Sequence, residues 1–195
     1  MSKQPLRINI ERLSARLAEL AAVGGTPDGG VCRLALTESD KAGRDLVVGW
    51  MRELGMTISI DQIGNVIATL AGEVDGPPVT TGSHIDTVAT GGAYDGNLGV
   101  LAGLEVVQCL LDAGIVPKHP VAVGFFTNEE GARFAPDMMG SGVQQGALSL
   151  QESLDTIGID GTSVRDDLAA IGYAGDDPCA FRARAFLELH IEQGP

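Results

Sequence analysis

Aromatic residues are scarce. They make up 4% of the 195 residues, so any core must be built from Leu, Val, Ile and Ala. There are three cysteines, Cys32, Cys109 and Cys179. They are odd in number, far apart and form no C-x-x-C pair, which argues against a disulfide framework or a cysteine zinc knuckle. Basic residues are half as many as acidic ones, 13 against 26, for a formal charge of −13 and a pI near 4.4. Such a surface repels phosphate backbones, so neither nucleic acid nor an anionic membrane is expected as a partner. No apolar run reaches the ~20 residues of a membrane span, and Met1 to Ile8 lacks the apolar centre of a signal peptide. These absences together predict a soluble protein of a reducing, cytoplasmic compartment.

What is present fits one cored domain over residues 1–195. Hydrophobic residues reach 44%, and 27 glycines imply many tight connections. Ile10, Leu13, Leu17 and Leu20 recur at helical spacing after Asn9, and Gly24-Gly25 ends that run. Thr37 with Asp40 resembles a cap for a second helix that buries Val47, Trp50, Met51 and Leu54. The period then changes. Met56, Ile58 and Ile60 alternate with polar residues, and Val66 to Leu70 and Val79 to Gly82 read as further strands. Leu98 to Leu111 is a helix with Leu101, Leu104 and Val107 on one face. Val121 to Thr127 is apolar enough for a strand covered on both sides. Short helices are predicted near Ala147–Thr156 and Val164–Ile171, and a last strand at Phe186–Leu189. Strands alternating with helices predict an α/β fold, a mostly parallel sheet covered by helices. Ligands of such sheets bind beyond the carboxyl ends of the strands.

Polar clusters stand at those ends. In Gly82-Ser83-His84-Ile85-Asp86-Thr87, residues two apart point the same way in extended chain, so His84 can be a metal ligand with Asp86 beside it to fix its tautomer. A plain turn capped by Asp86 is the competing reading. In Gly91-Gly92-Ala93-Tyr94-Asp95-Gly96-Asn97, Asp95 is either a carboxylate bridging two metals or, with Asn97, a helix cap. Glu129-Glu130 follow the apolar strand directly. Their side chains diverge, which suits two roles: one ligates and the other takes a proton from a metal-held water. A solvated acidic turn is the alternative. His190 sits in Glu188-Leu189-His190-Ile191-Glu192, where alternate residues share a face, or else it marks an exposed strand end. The third histidine, His119, reads as surface. Imidazole and carboxylate without thiolate suit Zn²⁺, Mn²⁺, Co²⁺ or Ni²⁺.

In this order the motifs resemble a known family. Gly-Ser-His84-Ile-Asp86-Thr, Gly-Gly-Ala-Tyr-Asp95-Gly, Phe-Thr-Asn-Glu129-Glu130-Gly-Ala-Arg-Phe and Glu-Leu-His190-Ile-Glu-Gln-Gly-Pro are similar to those of zinc-dependent hydantoinase/carbamoylase-type amidohydrolases, relatives of the aminoacylase-like metallopeptidases. Gly29-Gly30-Val31, Arg33-Leu34, Trp50-Met51-Arg52 and Gly64-Asn65 extend the resemblance over nearly the whole chain. It implies a zinc-exopeptidase-like catalytic domain with two divalent metal ions. His84 and His190 would hold one, Asp95 would bridge, and Glu130 would hold the second. Glu129 would be the general base, Asp86 would orient His84, and Gln193 would lie near the substrate. The implied reaction is hydrolysis of a small N-carbamoyl or ureido substrate, an N-carbamoyl-L-amino acid before allantoate or ureidopropionate.

The chain stops directly after the His190 motif, where members of the resembled family continue. They add a lid and dimerisation domain and a late histidine for the second metal. The expectation is therefore an N-terminal portion of such an enzyme, with the second metal served only by Asp95 and Glu130. A homodimer is expected only of a longer chain. The competing reading is a non-catalytic fragment with at most one weak metal site.

Overall fold

A computed structural model describes residues 5–191. Helix α1 spans Ile10–Ala22 and buries Leu13, Leu17 and Leu20, while Ile10 at its first position is exposed. It begins where the Asn9 side chain accepts the Arg12 amide. Helix α2, Glu38–Glu53, begins the same way, with the Thr37 side chain accepting the Asp40 amide. Strands β1 (Thr57–Ile60) and β2 (Val66–Leu70) form a hairpin, and β3 covers Val79–His84. Helix α3 (Asn97–Asp112) leads to β4 (Val121–Phe126). Short helices α4 (Met139–Gln144), α5 (Leu150–Leu154) and α6 (Val164–Ile171) precede β5 (Ala185–Leu187).

The strands form one sheet in the order β1-β2-β4-β3-β5. β3 runs parallel to both β4 and β5, and β2 alone opposes its neighbours β1 and β4. The sheet is thus mixed but mostly parallel in direction. Helix α3 lies across β3 and β4, α2 lies on β1, and α1 packs outside α2 and α3. Close approach of α3 depends on Gly103, where a Cβ would come within 2.7 Å of the Thr81 side chain. The core is aliphatic, with Phe125 and Phe134 as its fully buried aromatic rings.

Three expectations shift. β3 extends two residues past Gly82, so His84 is its last residue instead of part of the following loop. β5 is shorter than Phe186–Leu189 and its three residues are exposed at the sheet edge. Helix α4 carries no sequence signal, because Gly140 and Gly142 disfavour a helix and Met139-Gly140-Ser141-Gly142 shows no helical spacing. It forms because the amides of Met138, Met139 and Gly140 donate to the carbonyls of Glu129, Asn128 and Thr127. The loop after β4 templates it.

Helices α1 and α3 are also joined by charge. Arg12 forms a fork with Glu105 at 2.8 Å, and the Glu105 side chain is fully buried. Burial alone would push the Glu105 carboxyl up, but Arg12 and the Asn9 amide bring it below the ordinary glutamate value. Arg12→Ala should leave that carboxylate without a counter-charge and cost about 2–3 kcal/mol, less than a fully buried pair because Arg12 is 26% exposed. A lowered carboxyl stabilises the fold above its unfolded pKa, near ~4.3 for glutamate, and loses that effect as pH falls through the folded value. Urea unfolding should therefore show the difference in full at neutral pH and shrinking below about pH 4.

Candidate metal centre

In the parallel register, His84 of β3 stands opposite Phe126 of β4. Both strands therefore end side by side, and the Glu129-Glu130 turn emerges next to the His84 ring. β5 flanks β3 on its other side, so the segment after it brings His190 to the same edge. The His84 and His190 rings lie 6.1 Å apart. Asp95 reaches between them from the start of α3. Its Oδ1 is 3.8 Å from His84 Nε2 and 3.6 Å from His190 Nε2. The clusters expected at three strand ends thus share one crevice. His119 does not join them: it precedes the opposite end of β4, and it is half-buried instead of lying on the surface.

The three donor atoms fit a metal. Two ligands held at ~2.0–2.1 Å by a tetrahedral ion are separated by roughly 3.4 Å, close to the separations around Asp95. His84 Nδ1 donates to the Asp86 backbone carbonyl at 2.9 Å. That bond fixes the tautomer and leaves Nε2 with its lone pair toward Asp95. The expected Asp86 carboxylate is not the partner of His84; the backbone carbonyl of Asp86 is. The carboxylate comes no closer than 3.9 Å to Nδ1 and faces the acidic turn, Oδ1 accepting the Glu129 amide at 3.3 Å and Oδ2 the Glu130 amide at 3.2 Å.

Gly96 makes the approach of α3 to His84 possible. It is the N-cap of α3, with φ +64°, so neither Asp95 nor Asn97 has that role. A Cβ there would lie 2.5 Å from the His84 ring.

Glu129 and Glu130 both line one cavity. Both Glu129 carboxylate oxygens accept from Ser141, one from its amide at 2.9 Å and one from its hydroxyl at 2.7 Å. Burial pushes the Glu129 carboxyl up, and the Ser141 bonds pull against that. Glu130 is also raised, by burial first, while His84 lowers it and Asp95 raises it again. A cavity of about 470 Å³ is lined by His84, Asp95, Glu129, Glu130 and His190. Asp137, Met138 and Glu188 complete its wall. Asp137 and Met138 carried no sequence signal, and Ser141 would have needed knowledge of α4. Gln193 lies outside the described residues. Glycine at 96 is required twice over, by its left-handed backbone and by the ring beside it. Gly96→Ala should cost about 1–3 kcal/mol in backbone strain alone and abolish tight metal binding, which thermal unfolding and a zinc titration would show.

The sequence matches Peptidase family M20/M25/M40 over residues 80–195. The N-carbamoyl-L-amino-acid amidohydrolase of Rhizobium meliloti is 44% identical over 191 residues, covering 97% of this chain and 46% of that protein. The N-carbamoyl-L-amino acid amidohydrolase of Geobacillus stearothermophilus is also 44% identical, over 94% of this chain and 46% of its own length. A crystal structure of a hydantoinase/carbamoylase family amidase from Burkholderia ambifaria superposes with a TM-score of 0.95 at 48% identity, over 98% of this chain and 48% of that one. The chain therefore spans about half the length of the relatives it matches. The family match takes in more than half of this chain, including every proposed ligand, and so the chain belongs to Peptidase family M20/M25/M40, alongside the hydantoinase/carbamoylase-type amidases.

Proposed function

We propose that this chain carries the catalytic half-site of a metal-dependent amidohydrolase that cleaves a carbamoyl or ureido C–N bond. The observation that carries this reading is the Asp95 carboxylate standing 3.6–3.8 Å from two imidazoles, beside two acids of separate contacts. His84, Asp95 and His190 would hold one ion, and Asp95 with Glu130 would contribute to a second. Zn²⁺ suits the donors best, with Mn²⁺, Co²⁺ and Ni²⁺ as alternatives. When bound, such ions polarise the substrate carbonyl and acidify a water.

The side chains do the rest. Glu129 takes the proton from the water that attacks the carbamoyl carbon, then returns it to the leaving nitrogen. Ser141 holds the Glu129 carboxylate in one orientation while it does so. The Asp86 carboxylate keeps the backbone of both glutamates at the cavity. The substrate is an N-carbamoyl-L-amino acid, supported by the names of the relatives at 44% identity. Three unpaired cysteines suit a reducing cytosol, and no helix among the described residues is long and apolar enough to cross a membrane. Homodimerisation is proposed for a whole protein of the relatives' length only.

A second reading rests on the same coverage. A chain half as long as its relatives can hold a metal without turning over substrate. Turnover by the unsubstituted chain separates the two, and Glu129→Gln tests the base. That substitution should leave metal content unchanged and lower turnover of an N-carbamoyl-L-amino acid by about 10²–10⁴-fold, the usual share of a general base. Unchanged turnover would remove Glu129 from the mechanism. Metal binding with no turnover in the unsubstituted chain would favour the second reading.

A further inference from the structure

The side chain of Arg33 is fully buried, yet among the described residues it hydrogen-bonds to no carboxylate, and Asp40 and Asp86 act on it only through space. Its guanidinium donates instead to four neutral oxygens. Nε reaches the Ile85 carbonyl at 2.8 Å, and Nη2 reaches Asn97 Oδ1 at 2.8 Å. Nη1 reaches the Leu20 and Val23 carbonyls at 2.8 and 2.6 Å, at the C-terminus of α1. That helix end carries the negative pole of the macrodipole, and its last carbonyls, of which that of Leu20 also accepts the Val23 amide at 3.1 Å, solvate the cation. The backbone is anchored as well. Thr87 donates its amide to the Arg33 carbonyl at 2.9 Å and accepts the Arg33 amide on its hydroxyl at 2.8 Å. Helix α2 leaves room at Gly43, where a Cβ would come within 2.8 Å of Arg33 Cδ.

The addresses of these bonds matter. Ile85 follows His84 directly, and Asn97 lies two residues after Asp95. One rigid, planar group thus ties the end of β3 to the start of α3, the two segments that present His84 and Asp95. We infer that Arg33 is a positioning residue of the metal centre, setting the separation of His84 and Asp95 from behind and bracing both against α1. The inference rests on the metal reading above. It does not follow from stability alone, because a merely structural cation would have no reason to bond next to two ligands. Lysine cannot replace it: an ammonium has three donors from one point and cannot span four acceptors set around a fork.

A cobalt(II) titration of the 195-residue chain, read by visible absorption, tests this without substrate. The native chain should bind Co²⁺. Arg33→Lys should weaken binding by about 10–100-fold, the usual loss when a ligand's outer support is removed, and should alter the cobalt bands. Asn97→Ala removes the Asn97 leg of the fork together with the weaker bond from Asn97 Nδ2 to the Ala93 carbonyl at 3.3 Å. It should weaken binding in the same direction, and native binding in it counts against the inference if Arg33→Lys does not fold. Arg12→Ala, which loosens α1 from α3 without touching a ligand segment, should keep native affinity and bands while unfolding at lower temperature. A folded Arg33→Lys chain with native affinity and spectrum would overturn the inference. So would Asn97→Ala with native binding where the lysine variant is unfolded, or Arg12→Ala losing as much affinity as Arg33→Lys. A native chain that binds no Co²⁺ would sink the metal reading itself and this inference with it, a failure distinct from native binding that ignores Arg33.

Discussion

The Asp86 carboxylate is fully removed from water, and burying a charge costs several kcal/mol unless other groups compensate. Burial accordingly pushes its carboxyl up, while His84 and the amides of Glu129 and Glu130 act against that. The placement makes sense as a joint. Its carbonyl holds the His84 ring, and its carboxylate holds the next strand's turn. One residue after β3 therefore sets the ring tautomer and the position of both glutamates. If that joint loosened, His84 and the Glu129-Glu130 backbone would drift independently, and no single cavity would remain.

The turn that Asp86 grips is stiffened from behind. Asn128 adopts φ +54°, a left-handed conformation that Asn tolerates better than most residues. Its amide donates to the carbonyls of Phe134 and Pro136, closing the loop on itself. Asn65 accepts the Thr127 amide and donates to the Gly140 carbonyl, tying β2 to both the turn and α4. Arg44 pairs with Asp40 at 2.8 Å and reaches Gly64 and Thr127, with Phe125 and Tyr173 against its faces. Buried polar groups of this kind rigidify through the bonds they make, and in this network all the buried side-chain atoms except Asn128 Oδ1 and Asp40 Oδ1 have a partner. Here they serve the short α4, which delivers Ser141 to Glu129. Catalytic groups need such support, since a displacement of about half an ångström is enough to spoil a metal or base geometry.

Much of this was legible in residues, and the illegible part has a common cause. Asn9 and Thr37 announced helix starts through local side-chain bonds, and Val164–Ile171 was readable from its spacing. His84, Asp95, Glu130 and His190 could be named as candidates because each stands at or after a strand end or just before a helix, but the division of roles among them, Glu130 as ligand instead of Glu129 above all, came only from the family resemblance. Strand order was not readable. β2 sits between β1 and β4 through pairings far apart in sequence, and periodicity reports only which faces are buried. Helix α4 was invisible because long-range carbonyls satisfy its first amides. The His84 Nδ1 partner was read as a carboxylate and is a carbonyl, a distinction of backbone path that no spacing encodes.

Charge sets a last constraint on the proposed chemistry. The cavity wall contains Asp95, Glu129, Glu130, Asp137 and Glu188, against two histidines and no lysine or arginine. The chain as a whole carries −13. An N-carbamoyl amino acid is itself an anion at neutral pH, so the metal-free cavity repels the substrate proposed for it. Cations reverse that field locally. Two divalent ions, if held as proposed, would bring four positive charges to the same walls and relieve the acids that burial has raised. On this reading the order of events follows from electrostatics: ions load first, drawn by the acids, and only then does the cavity admit an anionic substrate. No basic side chain lines the described cavity, so the substrate carboxylate must find its partner in the ions themselves or in groups beyond these walls. On the proposed reading the acidic wall would act as a filter, admitting an anion only once cations had offset its charge.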